Sequence, residues 1–400
     1  MIPIHEAFKI IDDKVYGLST EQIRLEDSVG RVLAEDIFAD MDLPPFCRSQ
    51  MDGFAVRSED TRNAPVRLRV IGESIAGKGF DGEVRSKEAV RIMTGARVPL
   101  GADSVQKQEL TRLHDGFVEV LQSTEPNQNI VQKGEEIKKG TKVFSSGQQI
   151  TERMIPTLAS FGYAQLKVYR QPEVLIMSTG TELVEISQKP GKDEIRNSNS
   201  VMLAVFLQKY GVKARVLPNI SDDEETLIEV IREKILNSQG RVLVTTGGVS
   251  VGDYDFTKSA FCKLGAEIFF DKVSLKPGKP TVFAKLGESF IFGLPGNPVS
   301  SAVTFYLFVR RAILRMQRAL EVDLKSGYAI VAKKIKSTKE RDSVLPVVAD
   351  TDERGRLIVK LLKFAGSSNF IEFAGANALV YVPRGKDLEE GEIARVWFFD

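Results

Sequence analysis

The sequence predicts a multidomain α/β and β protein. Its centre reads as a three-layer α/β domain with a mostly parallel sheet. Ahead of that comes an elongated N-terminal domain with an inserted β-rich domain, and behind it a small C-terminal β-barrel or sandwich. Three observations carry this. From residue 173 to 316, apolar runs (EVLIMST, ARVLPNI, RVLVTT, SFIFGL) alternate with helical stretches (SVMLAVFLQKYG, ETLIEVIREKIL), the pattern of parallel strands covered by helices. Before that stretch, the strand candidates RLRVIGESI, AVRIMTG, DSVQKQEL and GFVEVLQS follow one another with turns between them. After it come GYAIVAKKI, SVLPVVA, RLIVKLL, ALVYVP and IARVWFF, again joined by turns.

Taken in order, Ile4, Phe8, Ile11 and Val15 recur at three to four residues, so 4–17 reads as an amphipathic helix ended by Gly17. Short strands and turns follow, and Pro44-Pro45 marks a hinge into a new unit. The later KKGTKVFSSGQQIT and ERMIPTLASFGYAQLKVYRQP return the chain to the first unit. The expected domains are therefore 1–43 with 131–171, an insertion at 44–130, an α/β domain at 172–316 and a β domain at 317–400. Four hundred residues exceed a single ordinary core, which agrees with several domains.

Composition narrows the function. Lys and Arg number 55 against 54 Asp and Glu, a net charge of +1, which gives no field to draw in nucleic acid or an anionic membrane. Cys47 and Cys262 are the only cysteines and form no CxxC, and two histidines cannot build a His-rich metal site. No long apolar run or basic leader pattern is present, so a cytoplasmic protein is expected.

The chemistry concentrates in TTGGVSVGDYD, LKPGKP and GLPGNP, each beside a strand-like run. Gly247, Gly248 and Gly252 let backbone approach a ligand and turn N–H groups toward phosphate; Asp253 and Asp255 are carboxylates fit for a hard cation. Lys276 and Lys279 flank Pro277-Gly278, a turn that either brings two ammonium groups to one anion or leaves both solvated. Asn297 is a favoured helix N-cap and Pro298 a favoured first residue, leaving N–H groups for an oxyanion or simply starting a helix. In STGTELV, Glu182 either positions a cation or meets the backbone dipole of a first helical turn. Ser221-Asp222-Asp223-Glu224 reads first as a capping box. Gly72–Gly79 resembles a phosphate loop, but Gly79 stands where a hydroxyl is required and no helical pattern follows. Asp52-Gly53 and Thr94-Gly95 read as separate hairpin turns.

Together, PPFCRSQMDGFAV, RIMTGARVPLGADSV, STGTELV, IRNSN, TTGGVSVGDYD, LKPGKP and GLPGNPVSS closely resemble the MoeA family of molybdopterin molybdenumtransferases, related to the gephyrin E domain. The resemblance spans nearly the whole chain, and GSSNFIEFAGANALVYVP is similar to the family's last domain. It implies insertion of molybdate into adenylylated molybdopterin, release of AMP, a need for Mg2+, and an elongated homodimer. It assigns Asp52 and Thr94 to the partner subunit's side of the cleft. Glu182, Asp222 and Asp255 become the acidic cluster for magnesium and molybdate, and Pro295 and Pro298 shape a closing loop. Thr179, Gly180, Gly247, Gly248, Ser250, Lys276, Lys279, Gly296 and Asn297 become cofactor-binding. Transient contact with a molybdopterin adenylyltransferase and with delivery proteins follows from the same resemblance. The alternatives are the preceding adenylyl transfer or a noncatalytic, peptide-binding scaffold of the gephyrin type. One departure stands out: Val131 and Gln132 occupy positions where relatives often carry basic residues.

Overall fold

The computed structural model describes residues 1–220, 223–236, 239–248, 256–362 and 369–399. The chain divides into two compact units, one of Met1–Glu35, Ser146–Ile155 and Gln165–Asp400, the other of Asp36–Ser145 and Pro156–Ala164.

In the larger unit, a six-stranded sheet runs in the order Ala214–Val216, Glu173–Ser178, Gln239–Thr246, Glu288–Leu294, Val282–Leu286, Glu267–Phe270. The first four are parallel and the last two pairings antiparallel. Alternate residues feed two cores: Val174, Ile176, Val242, Val244, Phe290 and Phe292 on one side, Leu175, Met177, Leu243 and Ile291 on the other. A sheet buried on both faces needs such unbroken apolar strands, and helices complete the three layers. The pair Val282–Leu286 and Glu288–Leu294 is a hairpin that the alternation of strands and helices does not announce.

Helix Ser198–Lys209 covers the first core together with a continuous helical run made of Pro298–Thr304, a π-helical segment Phe305–Val309, and Arg310–Met316. The N-terminal helix spans Ile4–Lys14 and buries Ile4, Ala7 and Ile11. It stops before Gly17, because Val15 turns extended after its N–H closes on Ile11 O. Gly17 serves another end: a Cβ there would stand 2.2 Å from Arg318 Nε.

The C-terminal strands Ser326–Val331, Asp342–Thr351, Leu357–Leu361, Ala378–Val382 and Ile393–Phe398 close into a five-stranded barrel, since Asp342–Thr351 pairs with both Leu357–Leu361 and Ala378–Val382. The strands pair all the way round, and Val331, Val347, Val359, Val380 and Val396 fill the interior. The short strand Leu275–Lys276 adds to this sheet alongside Asp342–Ser343.

The smaller unit is built on a six-stranded sheet ordered Ser104–Lys107, Gly53–Val56, Glu88–Ile92, Val66–Ser74, Phe117–Val120, Thr111–His114. Gly53–Val56, which the sequence reads as part of a turn, is a wholly buried strand inside this sheet. Residues 75–79 form a turn closed between Ile75 and Lys78 with no helix after it, so the glycines there belong to a loop.

Candidate functional site

Three parallel strands of the larger unit end in register: Ser178 lies beside Thr246, and Thr246 beside Leu294. The loops beginning at Thr179, Gly247 and Pro295 therefore leave the sheet side by side at the carboxyl ends of the strands, where ligands of open α/β sheets bind. They line a cavity of about 990 Å³.

The backbone on its wall demands glycine. Gly247 has φ 94° and Gly248 φ 64°, a region that L side chains disfavour. A Cβ on Gly247 would stand 2.4 Å from Thr179 O, and one on Gly248 would stand 2.3 Å from Thr257 Oγ1 and 2.8 Å from Thr179 Oγ1. Both hydroxyls are buried and find no hydrogen-bond partner among the described residues. Buried orphan hydroxyls carry a desolvation cost that function commonly explains.

A second feature was missed by sequence reasoning. Asn199 Nδ2 donates to Thr246 Oγ1 (2.9 Å) and to Gly296 O (2.7 Å), while Thr246 Oγ1 donates to Pro295 O (3.3 Å). One amide thus ties the ends of two strand loops. Behind it, Asn197 caps the helix Ser198–Lys209 by accepting from the Ser200 N–H, and its Nδ2 donates to Asn219 Oδ1 at 2.6 Å. Ser178 and Ser200 hydroxyls complete this buried network at 2.6 Å. The signal was the run IRNSN, three amide and hydroxyl side chains at a helix start, which spacing alone does not connect to the other clusters.

Glu182 is exposed and lines the cavity, as do Thr179, Gly180, Gly296, Asn297, Pro295 and Pro298. Asn297 is the N-cap and Pro298 the first residue of its helix. Lys276 is exposed and Lys279 half-buried, and neither lines this cavity, although Pro280 does. Asp222, Ser250 and Asp255 lie outside the described residues, as do Gly252 and Asp253. Asp223 is committed elsewhere: it is the N-cap of helix Glu224–Ile231 and accepts from the Thr226 N–H at 2.8 Å. Among the described residues no group of three or more His, Cys, Asp or Glu side chains converges to hold a metal ion.

In the smaller unit the structure joins two motifs that the sequence leaves apart. Gly53 pairs with Ile92 across antiparallel strands, so Asp52 and Thr94 meet at one end of the sheet. Asp52 Oδ1 accepts from the Thr94 N–H and from its hydroxyl, both at 2.7 Å. These bonds, backbone first, hold the exposed Asp52 carboxyl below the usual carboxylate range, with the charge of Arg91 adding to them. Gly53 must be glycine, because a Cβ would lie 1.9 Å from Gln106 O. Gln132, at the departure from the family pattern, accepts from the Cys47 thiol at 3.3 Å.

Comparison with known proteins covers the chain end to end. Residues 2–162 match the MoeA N-terminal region (domain I and II), residues 175–315 a probable molybdopterin binding domain, and residues 328–399 the MoeA C-terminal region (domain IV). The molybdopterin molybdenumtransferase of Haemophilus influenzae is 36% identical over 391 residues, 97% of this chain and 96% of that protein. The Bacillus subtilis protein of the same name is 36% identical over 406 residues, 99% of this chain and 93% of its own. A crystal structure of the molybdopterin biosynthesis moeA protein from Pyrococcus horikoshii matches with a TM-score of 0.82 at 30% identity, covering 100% of both chains.

Proposed function

The chain belongs to the MoeA family of molybdopterin molybdenumtransferases and is an enzyme of molybdenum cofactor biosynthesis; from that premise we propose that it performs the magnesium-dependent insertion of molybdate into adenylylated molybdopterin, with hydrolytic release of AMP. The observation that carries this reading is the cavity where three strand-end loops converge, large enough for a nucleotide-sized substrate. Its polar lining is carboxylate, guanidinium, amide, hydroxyl and backbone, with no cysteine or histidine among the described residues. Molybdate is an oxyanion and needs N–H donors and cations rather than soft ligands, so this donor set suits it as a substrate.

The same hard oxygen donors fit magnesium. Glu182 on the cavity wall, with Asp222 and Asp255, would hold it. Held there, the ion would supply positive charge to neutralise a pyrophosphate and to polarise the phosphorus–oxygen bond. Gly247 and Gly248 bring backbone close to the phosphates, Arg196 on the cavity wall offsets their charge with Lys276 and Lys279 adding to it from beyond the wall, and the loop through Pro295, Gly296 and Asn297 closes over the substrate. Water supplies its hydroxyl to one phosphate and its proton to the other as AMP leaves. We assign Asp52 and Thr94 to the facing side of the cleft, contributed by the second subunit of a cytoplasmic homodimer, with the four-domain partition read from the sequence.

The test supplies purified protein with adenylylated molybdopterin, magnesium and molybdate, and follows AMP and the finished cofactor. AMP release dependent on molybdate is expected. Its absence at every molybdate concentration sinks the proposal, and consumption of ATP with molybdopterin assigns the preceding step instead.

A further inference from the structure

The cavity lining is chemically mixed. Its less exposed part is polar, formed by Thr179, Gly247, Gly248 and the Asn199 amide. The exposed lining carries Ile186, Ile195 and Phe370, which are 54%, 57% and 51% exposed, among the charged Glu182, Glu194 and Arg196. Single exposed apolar residues are ordinary, but three on the wall of one cavity form a surface that water covers at a cost.

Phe370 is held there by its neighbours. It opens the short helix Phe370–Phe373, whose Phe373 meets Phe399 edge-on at 6.0 Å. Phe399 lies 4.4 Å from Tyr306, and Tyr306 belongs to the helical run whose first residue, Pro298, lines the same cavity. The aromatic chain therefore ties the helix carrying Phe370 to the helical run whose first residue lines the same cavity. An exposed ring anchored in this way, on the same cavity wall as two exposed isoleucines, suits a flat ring at a set distance from an anionic group.

We infer that Phe370, with Ile186 and Ile195, forms a stacking subsite for the planar heteroaromatic ring of the substrate, and that Phe370 is a specificity-determining residue. This rests on the proposed function, whose substrate carries two such rings, a pterin and an adenine. Phe370 gives a π-face, and the isoleucines flank the ring without demanding particular hydrogen bonds. Stacking on an aromatic side chain tolerates any planar base, so truncating it weakens binding by about tenfold or more.

Binding of AMP and of neopterin to the wild-type chain, Phe370→Ala and Phe370→Trp is measured by calorimetry, with pyrophosphate as the ring-free probe. Phe370→Ala is expected to lose about tenfold in affinity for at least one ring ligand, Phe370→Trp to retain it, and pyrophosphate affinity to stay within about twofold in both. Which ligand responds identifies the ring. The Phe370→Trp chain adds a reporter to the single native tryptophan, Trp397, and its emission is expected to be quenched by the responding ligand. Unchanged affinity for both ring ligands in Phe370→Ala, or failure of both to bind the wild-type chain, overturns the subsite. AMP release from adenylylated molybdopterin, assayed in parallel on the wild-type chain, separates this from the reaction assignment. Release with ring affinity unmoved by Phe370→Ala removes the subsite alone, whereas absent release removes the reaction.

Discussion

Asp52 and Thr94 act as one unit, and the pH at which that unit changes charge is set by two short hydrogen bonds. Both bonds favour the ionised carboxylate, so Asp52 stays charged to a lower pH than a free aspartate. Thr94→Val removes the hydroxyl donor and leaves the N–H, so the Asp52 titration is expected to move up in pH, while Thr94→Ser keeps it low. Carbon-detected NMR of the Asp52 carboxyl across pH 2–6, a window around the ordinary aspartate value of about 3.9, checks this; identical titrations in the valine and serine variants refute it. A second expectation concerns Gly248. With φ 64° and a Cβ only 2.3 Å from Thr257 Oγ1, Gly248→Ala is expected to raise KM for the adenylylated substrate by about tenfold or more through displaced backbone, a misplacement effect. The glycines were legible because a packed strand has no use for them. The meeting of Asp52 with Thr94 was not, since each motif alone reads as a turn and only the pairing of Gly53 with Ile92 unites them. Asn199 escaped for the same reason: its partners Thr246 and Gly296 are distant in sequence.

At the scale of elements, the N-terminal helix is tied to the end of the long helical run by one carboxylate. Arg311 and Arg315 each donate Nε to Asp12 Oδ1 at 2.8 Å, and the Arg311 side chain is only 10% exposed. Burial alone would raise the Asp12 pKa, but the hydrogen bonds and charges of the two arginines outweigh it and hold it low. Removing the carboxylate leaves Arg311 with Asp323 as its remaining carboxylate and Arg315 without this partner, so Asp12→Ala is expected to cost about 2 kcal/mol. Because folding lowers this pKa, the Asp12 contribution is complete above the unfolded carboxylate value of about 4 and is lost as pH falls through the lower folded value. Urea unfolding of wild type and Asp12→Asn should therefore differ most near neutrality and converge in acid; a gap constant with pH argues against the pairing. The elements that sequence revealed were those with unbroken apolar runs, such as Glu173–Ser178 and the five barrel strands. Val282–Leu286 and Glu267–Phe270 were hidden because they are short and follow turn-rich segments. The helix end at Lys14 was misplaced because Gly17 imitates a stop signal while serving to admit Arg318.

For the molecule as a whole, the proposed division of the site between two copies makes a prediction that no single-subunit site shares. The loops bearing Glu182, Gly247 and Gly296 converge within one compact unit, whereas Asp52 and Thr94 sit together in the other. In the proposed homodimer, each active cleft takes Glu182 from one chain and Asp52 from its partner. Asp52→Ala and Glu182→Ala homodimers are then both inactive, since every cleft lacks one carboxylate. Mixing the two variants through unfolding and refolding, or by co-expression, gives heterodimers in half the population, and each heterodimer has one cleft with both carboxylates intact and one with neither. Random pairing therefore restores about a quarter of wild-type AMP release per subunit, as a shared symmetric interface requires. A chain carrying both substitutions, mixed with either single variant, should restore nothing, because no cleft then holds both carboxylates. If Asp52 instead serves the Glu182 of its own chain, mixing the single variants yields no active cleft, and turnover stays at the level of the separate homodimers.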